Sequence, residues 1–440
     1  MSCRSSRFQR VMRDLGIQKI NQKIGVYVHW PFCAQKCPYC DFNSHVRFGG
    51  WDEERFLKAY CRELDTVAAQ IGQREVGSIF LGGGTPSLMQ AQTVEALLTH
   101  IAKLWVVSQD AEVTLEANPN SVEAQRFRDY RKAGINRASV GVQSFIDEDL
   151  KRLGRLHSAD EARKAIDIAR QVFDRFSFDL IYARSGQRIE AWEKELQEAL
   201  DRAGDHLSLY QLTIEPDTPF AELHKKGALK VPDQDQASLF YTLTGEMTAQ
   251  RGFETYEVSN YARHGQECRH NMLYWRYGPY VGVGPGAHGR LSVLDQRLAT
   301  VTERNPERWV ELVETHGHGF TEQTPLSKTE QADEMLLMGL RTSEGVDLEE
   351  ILQHYGVAPS RTEVEHLAML GLLEVLGRDE RRTKKENFFA QLSTEISGEK
   401  ERFVSQRPRI RARGEGRLVL NELVRRLSMN QETDILCESL

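Results

Sequence analysis

The 440-residue sequence contains no apolar run of the roughly 18 residues that would carry a helix across a membrane, so no membrane span is predicted. It also lacks a surplus of basic charge: 57 lysines and arginines stand against 64 acids, a net of −7. That balance excludes a dominant nucleic-acid binder, while mixed charge along the chain leaves room for local basic patches. No internal repeat is evident. Paired cysteines are missing too. The seven (Cys3, Cys33, Cys37, Cys40, Cys61, Cys268 and Cys437) are odd in number, and three of them form one tight cluster. This is not a disulfide framework; it fits a reducing compartment and a metal or redox role. The opening stretch "MSCRSSRFQRVMRDLG" lacks the apolar core of a secretory signal. Its arginines and absence of acids before Asp14 fit an organelle transit peptide, and a frayed bacterial N-terminus is the simpler reading.

What is present is ordinary globular composition, 40% hydrophobic and 28% charged, on a chain long enough for two or three domains. Strand-like runs at 24–30, 78–83, 112–119, 137–144, 175–182 and 206–216 alternate with helical patterns at 52–71, 88–104, 121–133, 159–172 and 189–203. Six strands with five intervening helices predict parallel β/α units. They are too few for an eight-stranded barrel, which leaves a partial, open barrel or an open doubly wound sheet. Both place ligands at the carboxyl ends of the strands.

The pattern changes after about residue 230. The expected organisation is a tail (1–22), a core barrel (23–230), a connecting region (231–326) and a mainly helical C-terminal domain (327–440). Helices are expected at 235–252, 328–342, within "VDLEEILQHYG" and "RTEVEHLAMLGLLEVLG", and at 417–427. Residues 377–413 hold 11 Lys/Arg and 6 Asp/Glu, a net of +5, and read as a solvated insertion (about 377–408) rather than a basic contact surface.

Chemistry concentrates in "VHWPFCAQKCPYCDF", where Cys33, Cys37 and Cys40 follow a strand with C-x₃-C-x₂-C spacing. Structural zinc wants four protein ligands, and His29 or His45 could complete such a site. An iron–sulfur cluster is the other soft-ligand option, with one iron left open to a small chelator. "FLGGGTP" puts Gly82, Gly83 and Gly84 at the end of the second strand, where backbone could approach a ligand closely. Glu116, Gln143, Arg155 and Asp179 would ring the same mouth.

These stretches, with "LEANP", "SVGVQSF" and "GRLH", resemble the radical S-adenosylmethionine (SAM) superfamily. More narrowly they resemble its branch related to oxygen-independent coproporphyrinogen III dehydrogenase, over about 24–376 and 410–427. The resemblance implies a partial (β/α)6 barrel and a [4Fe–4S] cluster on Cys33, Cys37 and Cys40. It implies SAM contacts from Tyr27, Tyr39, Gly83, Gly84, Thr85, Glu116, Gln143, Arg155 and Asp179. In this superfamily a reduced cluster cleaves SAM to methionine and a 5′-deoxyadenosyl radical.

Two features divide the branch. The dehydrogenases carry a fourth cysteine two residues after the third, where this sequence has Phe42. "HNMLYW" (270–275) matches the HNxxYW motif of a sister group, the HemW-type haem chaperones, and so implies a haem site of His270, Asn271, Tyr274 and Trp275. His270 could supply an imidazole to haem iron, with Cys268 an alternative thiolate; read from the residues alone, the aromatic pair is core and His270 is a hydrogen-bonded loop histidine. The resemblance thus implies a haem carrier that delivers to respiratory membrane enzymes, with an electron donor, no nucleic-acid partner and a homodimer left open. The rival is a radical enzyme acting on coproporphyrinogen III. The expected location is cytoplasmic, or the mitochondrial matrix in a eukaryote. "GVGPGAHG" (282–289) belongs to the same likeness, and "LIYARSGQ" departs from the usual LIYGLPGQ at Ala183, Arg184 and Ser185.

Overall fold

The computed structural model describes residues 23–376, 408–417 and 419–429. The expected tail (1–22) and all but the last residue of the 377–408 insertion lie outside the described residues, as do Cys3 and Cys437. The described residues form two compact units: 23–274 with 278–326, and 275–277 with 327–376, 408–417 and 419–429.

The first unit is built on β1 (Ile24–Trp30), β2 (Glu75–Gly83), β3 (Val106–Ala117), β4 (Arg137–Gln143), β5 (Arg175–Tyr182) and β6 (His206–Gln211). All five neighbouring pairs are parallel. The sequence IGVYVHW of β1 is almost wholly buried, as a strand covered on both faces must be. The crossover helices bury one stripe each. In α1 (Glu53–Ile71) that stripe runs Phe56, Tyr60, Leu64, Val67 and Ile71. Its N-terminus is capped by Asp52, whose side chain accepts from Arg55 N. Helices α2 (Ala91–Leu104), α3 (Phe127–Ala133), α4 (Ala159–Val172) and α5 (Ile189–Arg202) follow the next strands in turn.

The sheet extends beyond the six strands expected. β7 (Glu254–Thr255) and β8 (Asn260–Ala262) add antiparallel to the β6 edge. On the other side β9 (Tyr280–Val283) pairs parallel with β1, and β10 (His288–Val293), β11 (Gln296–Thr302) and β12 (Phe320–Pro325) continue antiparallel. The order is β12-β11-β10-β9-β1-β2-β3-β4-β5-β6-β8-β7, and the two ends do not pair with each other. Inward residues of all six parallel strands from β1 to β6 nevertheless line one cavity of about 180 Å³. The sheet therefore curls around a lumen without closing, as an incomplete α/β barrel.

A buried carboxylate braces the outside of this barrel. Glu63 of α1 accepts from Gly284 N (2.8 Å), Gly319 N (2.7 Å) and Trp309 Nε1 (3.1 Å), and burial pushes its pKa up to about 7.

The second unit combines helices Lys328–Leu340, Leu348–Tyr355, Arg361–Met369 and Leu420–Leu427 with a three-stranded sheet. In that sheet Arg409–Ala412 lies between Val346–Asp347 and Leu373–Leu376. The end of "RTEVEHLAMLGLLEVLG" is thus a strand, not helix. Gly371, at φ +73°, ends the helical path and β-branched Val375 follows in extended backbone.

Candidate functional site

The cysteines lie in the loop at the carboxyl end of β1. Its root is fixed by a stack of Phe32 on Trp51 (centroids 4.8 Å apart, 4° between planes) with Trp30 edge-on at 5.3 Å. The short ladder Phe32–Cys33 with His45–Val46 brings the loop back on itself. Between them Cys40 N donates to Cys37 O (3.2 Å), a turn that sets the two-residue spacing.

A hydrogen-bonded arc then connects two of the thiols. Thr85 Oγ1 donates to Cys33 Sγ (3.3 Å) and receives from Asn118 Nδ2 (3.2 Å). Asn118 Oδ1 accepts from Arg155 Nη2 (2.5 Å), and Arg155 Nη1 donates to Cys37 Sγ (3.4 Å). These donors favour thiolate, whereas burial opposes it and pushes Cys33 up to about 11 and Cys40 upward as well. A metal centre binding here must displace those protons. Tyr39 joins the group against Cys37 and Arg155, its hydroxyl kept protonated by burial.

The glycines serve this loop rather than an open approach. Gly84 N donates to Trp30 O (2.6 Å), and a Cβ at Gly84 would sit 2.7 Å from Phe32 O. Gly83 has φ +107°, and its N–H donates to Glu116 Oε2 (3.1 Å). The space a Cβ would take is filled at Gly84 by the backbone of Trp30–Phe32 and at Gly83 by the His29 imidazole, 2.6 Å away.

His29 does not reach the thiols. Its Nε2 donates to Asn43 O (2.9 Å), so Nδ1 accepts a hydrogen bond from the Tyr27 hydroxyl (2.9 Å). Burial lowers its pKa to about 4 and keeps it neutral. His45 is held by Asn43 Oδ1 at 3.2 Å. Among the described residues no three His, Cys, Asp or Glu side chains gather to ligate one metal ion. In a [4Fe–4S] cluster each cysteine holds a different iron, so the sulfurs need not meet at a point.

Two other mouth residues leave buried polar atoms unsatisfied. Gln143 ends β4 at φ +70°, a strained conformation for a residue with a side chain, and its buried Oε1 has no partner. Arg155 Nε is likewise buried without one. Buried orphans of this kind call for a ligand or water.

Below the mouth is the lumen cavity. Tyr27, Glu116 and Asp179 line it, together with Arg137, Ser139, Ser208 and His206. Glu116 is pushed up to about 8 by burial and by the Asp179 charge, and Asp179 up to about 6 by burial. The same cavity is lined by His270, Asn271 and Tyr274. His270 is buried, with Nδ1 on Ser78 Oγ (2.8 Å) and Nε2 on the Tyr274 hydroxyl, and burial lowers its pKa to about 3. Trp275 groups instead with the C-terminal unit, where Arg341 Cζ lies 4.9 Å from its ring centroid.

The residues expected from sequence thus fall into two tiers. Cys33, Cys37, Cys40, Tyr39, Gly84, Thr85 and Arg155 belong to the mouth, Gln143 ends a strand beside it, and Gly83 reaches Glu116 in the lumen. Sequence reasoning missed Asn118, although the Asn-Pro that ends "LEANP" marked a strand end at that point. It also missed Glu112 and Thr114, which share the inward face of β3 with Glu116; the period-2 run of polar residues was the available signal.

The Radical SAM superfamily profile matches residues 27–216, and that of the HemN C-terminal domain matches 326–383. The chain is 39% identical to radical S-adenosyl methionine domain-containing protein 1, mitochondrial, of Bos taurus, over 80% of this chain and 82% of that one. It is 38% identical to heme chaperone HemW of Escherichia coli, over 76% and 86%. Among solved structures, the coproporphyrinogen III oxidase HemN of Escherichia coli superposes with a TM-score of 0.73 at 20% identity, covering 96% of this chain and 93% of that one, which establishes the shared fold.

Proposed function

This chain belongs to the radical SAM superfamily, in the group that holds HemW and radical S-adenosyl methionine domain-containing protein 1, and from that premise we propose that it carries haem to respiratory membrane enzymes. The observation that carries the reading is kinship. The chain is 38%, 36% and 32% identical to three heme chaperones HemW over about three quarters of its length. Phe42, half exposed where the oxidase branch has its extra cysteine, agrees with that side of the division.

Cys33, Cys37 and Cys40 would hold the [4Fe–4S] cluster, with Thr85 and Arg155 donating to two of the sulfurs. SAM, when bound, supplies one-electron cleavage chemistry to sites of this family. The residues for it fit on their own chemistry: a cationic sulfonium suits the Glu116–Asp179 pair, and the orphaned Gln143 Oε1 offers an acceptor. The chain's own work is to orient SAM and exclude water from it. An electron donor is required to reduce the cluster. No helix among the described residues is long and apolar enough to cross a membrane. One relative is a mitochondrial protein of Bos taurus and another comes from Escherichia coli, and in keeping with them we propose the mitochondrial matrix or the cytoplasm according to the host.

The test is anaerobic reconstitution followed by haem titration in the presence and absence of SAM. A new Soret band at stoichiometric haem is expected, and transfer of that haem to respiratory membranes. Failure of the wild-type protein to retain haem through gel filtration overturns the proposal.

A further inference from the structure

The HNMLYW segment pointed to haem in sequence, yet its contacts are with the floor of the barrel. It forms helix α6 (Arg269–Trp275), which lies among Gly25, Arg137 and Arg175 at the starts of their strands and Ser78 and Glu112 further along theirs. Glu112, on the inward face of β3, accepts at one oxygen from Arg269 N (2.9 Å), His270 N (3.3 Å) and Cys268 Sγ (3.4 Å). Its other oxygen takes Arg175 Nη1 from the first residue of β5, with Arg137 of β4 3.9 Å away. Arg175 in turn donates to Gln266 O (2.8 Å) and Glu267 O (2.9 Å), just before the helix. His270 bonds Ser78 of β2, and a Cβ on Gly25 of β1 would lie 3.1 Å from the imidazole Cε1. The helix is tied to five consecutive strands at the end opposite the cysteines.

From that floor the motif faces the lumen. His270 stacks on Phe80 (5.1 Å) and lies 6.5 Å from the Tyr27 ring. The chamber it closes, about 180 Å³, is smaller than the roughly 300–1,000 Å³ of a pocket for a drug-sized molecule, so it contains neither a porphyrin nor a whole SAM molecule, only the end of a ligand seated above it. Both imidazole nitrogens are already engaged.

We infer that the HNMLYW helix, seated by Glu112, is the floor of the chamber beneath SAM, and that His270 and Asn271 are positioning residues for SAM binding rather than haem contacts. The inference rests on the reading of the chain as a SAM- and haem-binding protein. It places the haem site of this chain on other residues.

The experiment compares reconstituted wild-type protein with Asn271→Ala and His270→Gln, measuring equilibrium SAM binding, haem titration at the Soret band and thermal midpoint. Asn271 lines the chamber and carries the lesser folding risk; Gln at 270 keeps hydrogen-bonding capacity with weak affinity for iron. Expected is SAM binding weakened roughly tenfold, the scale of one lost polar contact, with haem affinity within about twofold of wild type and an unmoved Soret maximum. A displaced Soret band or a tenfold loss of haem in His270→Gln with SAM binding intact overturns the inference. So does a pair of variants in which neither ligand is affected, or one in which both weaken together with a fallen thermal midpoint. Should His270→Gln not fold, Asn271→Ala decides alone. If wild-type protein binds SAM but no haem, the carrier proposal fails while the SAM comparison still judges the floor.

Discussion

The two ends of the barrel are built differently. At the carboxyl ends of the strands the backbone is strained at Gln143 (φ +70°) and Ala183 (φ +55°), and Gln143 Oε1 and Arg155 Nε are buried without partners. At the amino ends Glu112 accepts from Cys268, Arg269, His270 and Arg175, with Arg137 3.9 Å away, although His206 Nδ1 is buried without a partner there too. Strain and unmet hydrogen bonds cost stability and persist where a ligand repays them. A saturated carboxylate hub does the reverse and resists movement. The contrast assigns ligand binding to the mouth and rigidity to the floor, as in other barrels of parallel strands.

The sharpest way to break this contrast is at the thiols. Cys33→Ala, Cys37→Ala or Cys40→Ala should take anaerobically reconstituted protein from about four irons to near none, read by iron and sulfide assay, with little change in circular dichroism. Retention of a full iron load would move the cluster elsewhere. At the floor, Glu112→Ala strands Arg137 and Arg175 and unseats the helix. A loss of about 3 kcal/mol is expected, seen as a lower melting temperature with the three thiols still able to take iron.

Beside both ends, Glu63 gives a pH test. Its folded pKa, about 7, exceeds the ordinary value of 4.5, so the folded state holds the proton more tightly than the unfolded one. Stability from this group is full below pH 4.5 and is lost as pH rises through 7, a change on the order of 3 kcal/mol. Glu63→Gln should flatten that part of the stability profile measured by urea unfolding. The smallest effect belongs to Phe42→Cys. The side chain is 56% exposed, so stability should stay within about 0.5 kcal/mol, iron content should not change, and no coproporphyrinogen decarboxylation should appear.

The mouth was more legible in sequence than the floor. The cysteine spacing, the glycines and the first five crossover helices follow from local patterns, and β1, β5 and α4 begin and end where periodicity puts them. β9 was not read because Tyr280–Val283 is only four residues set among glycines, too short for period 2 to register. The strands between 254 and 325 are short pairs whose partners lie far along the chain. Asn118 and Glu112 escaped for the same reason: each gains its role from residues 25 or more positions away. HNMLYW was visible as a motif, but the barrel that receives it was not.

One measurement bears most directly on the carrier reading. Holoprotein with SAM and a reductant is offered haem and, in a parallel cell, coproporphyrinogen III, followed by visible spectroscopy and by release of carbon dioxide. Stoichiometric haem uptake without decarboxylation is the predicted result. Sustained carbon dioxide release, with protoporphyrinogen as product, would contradict it.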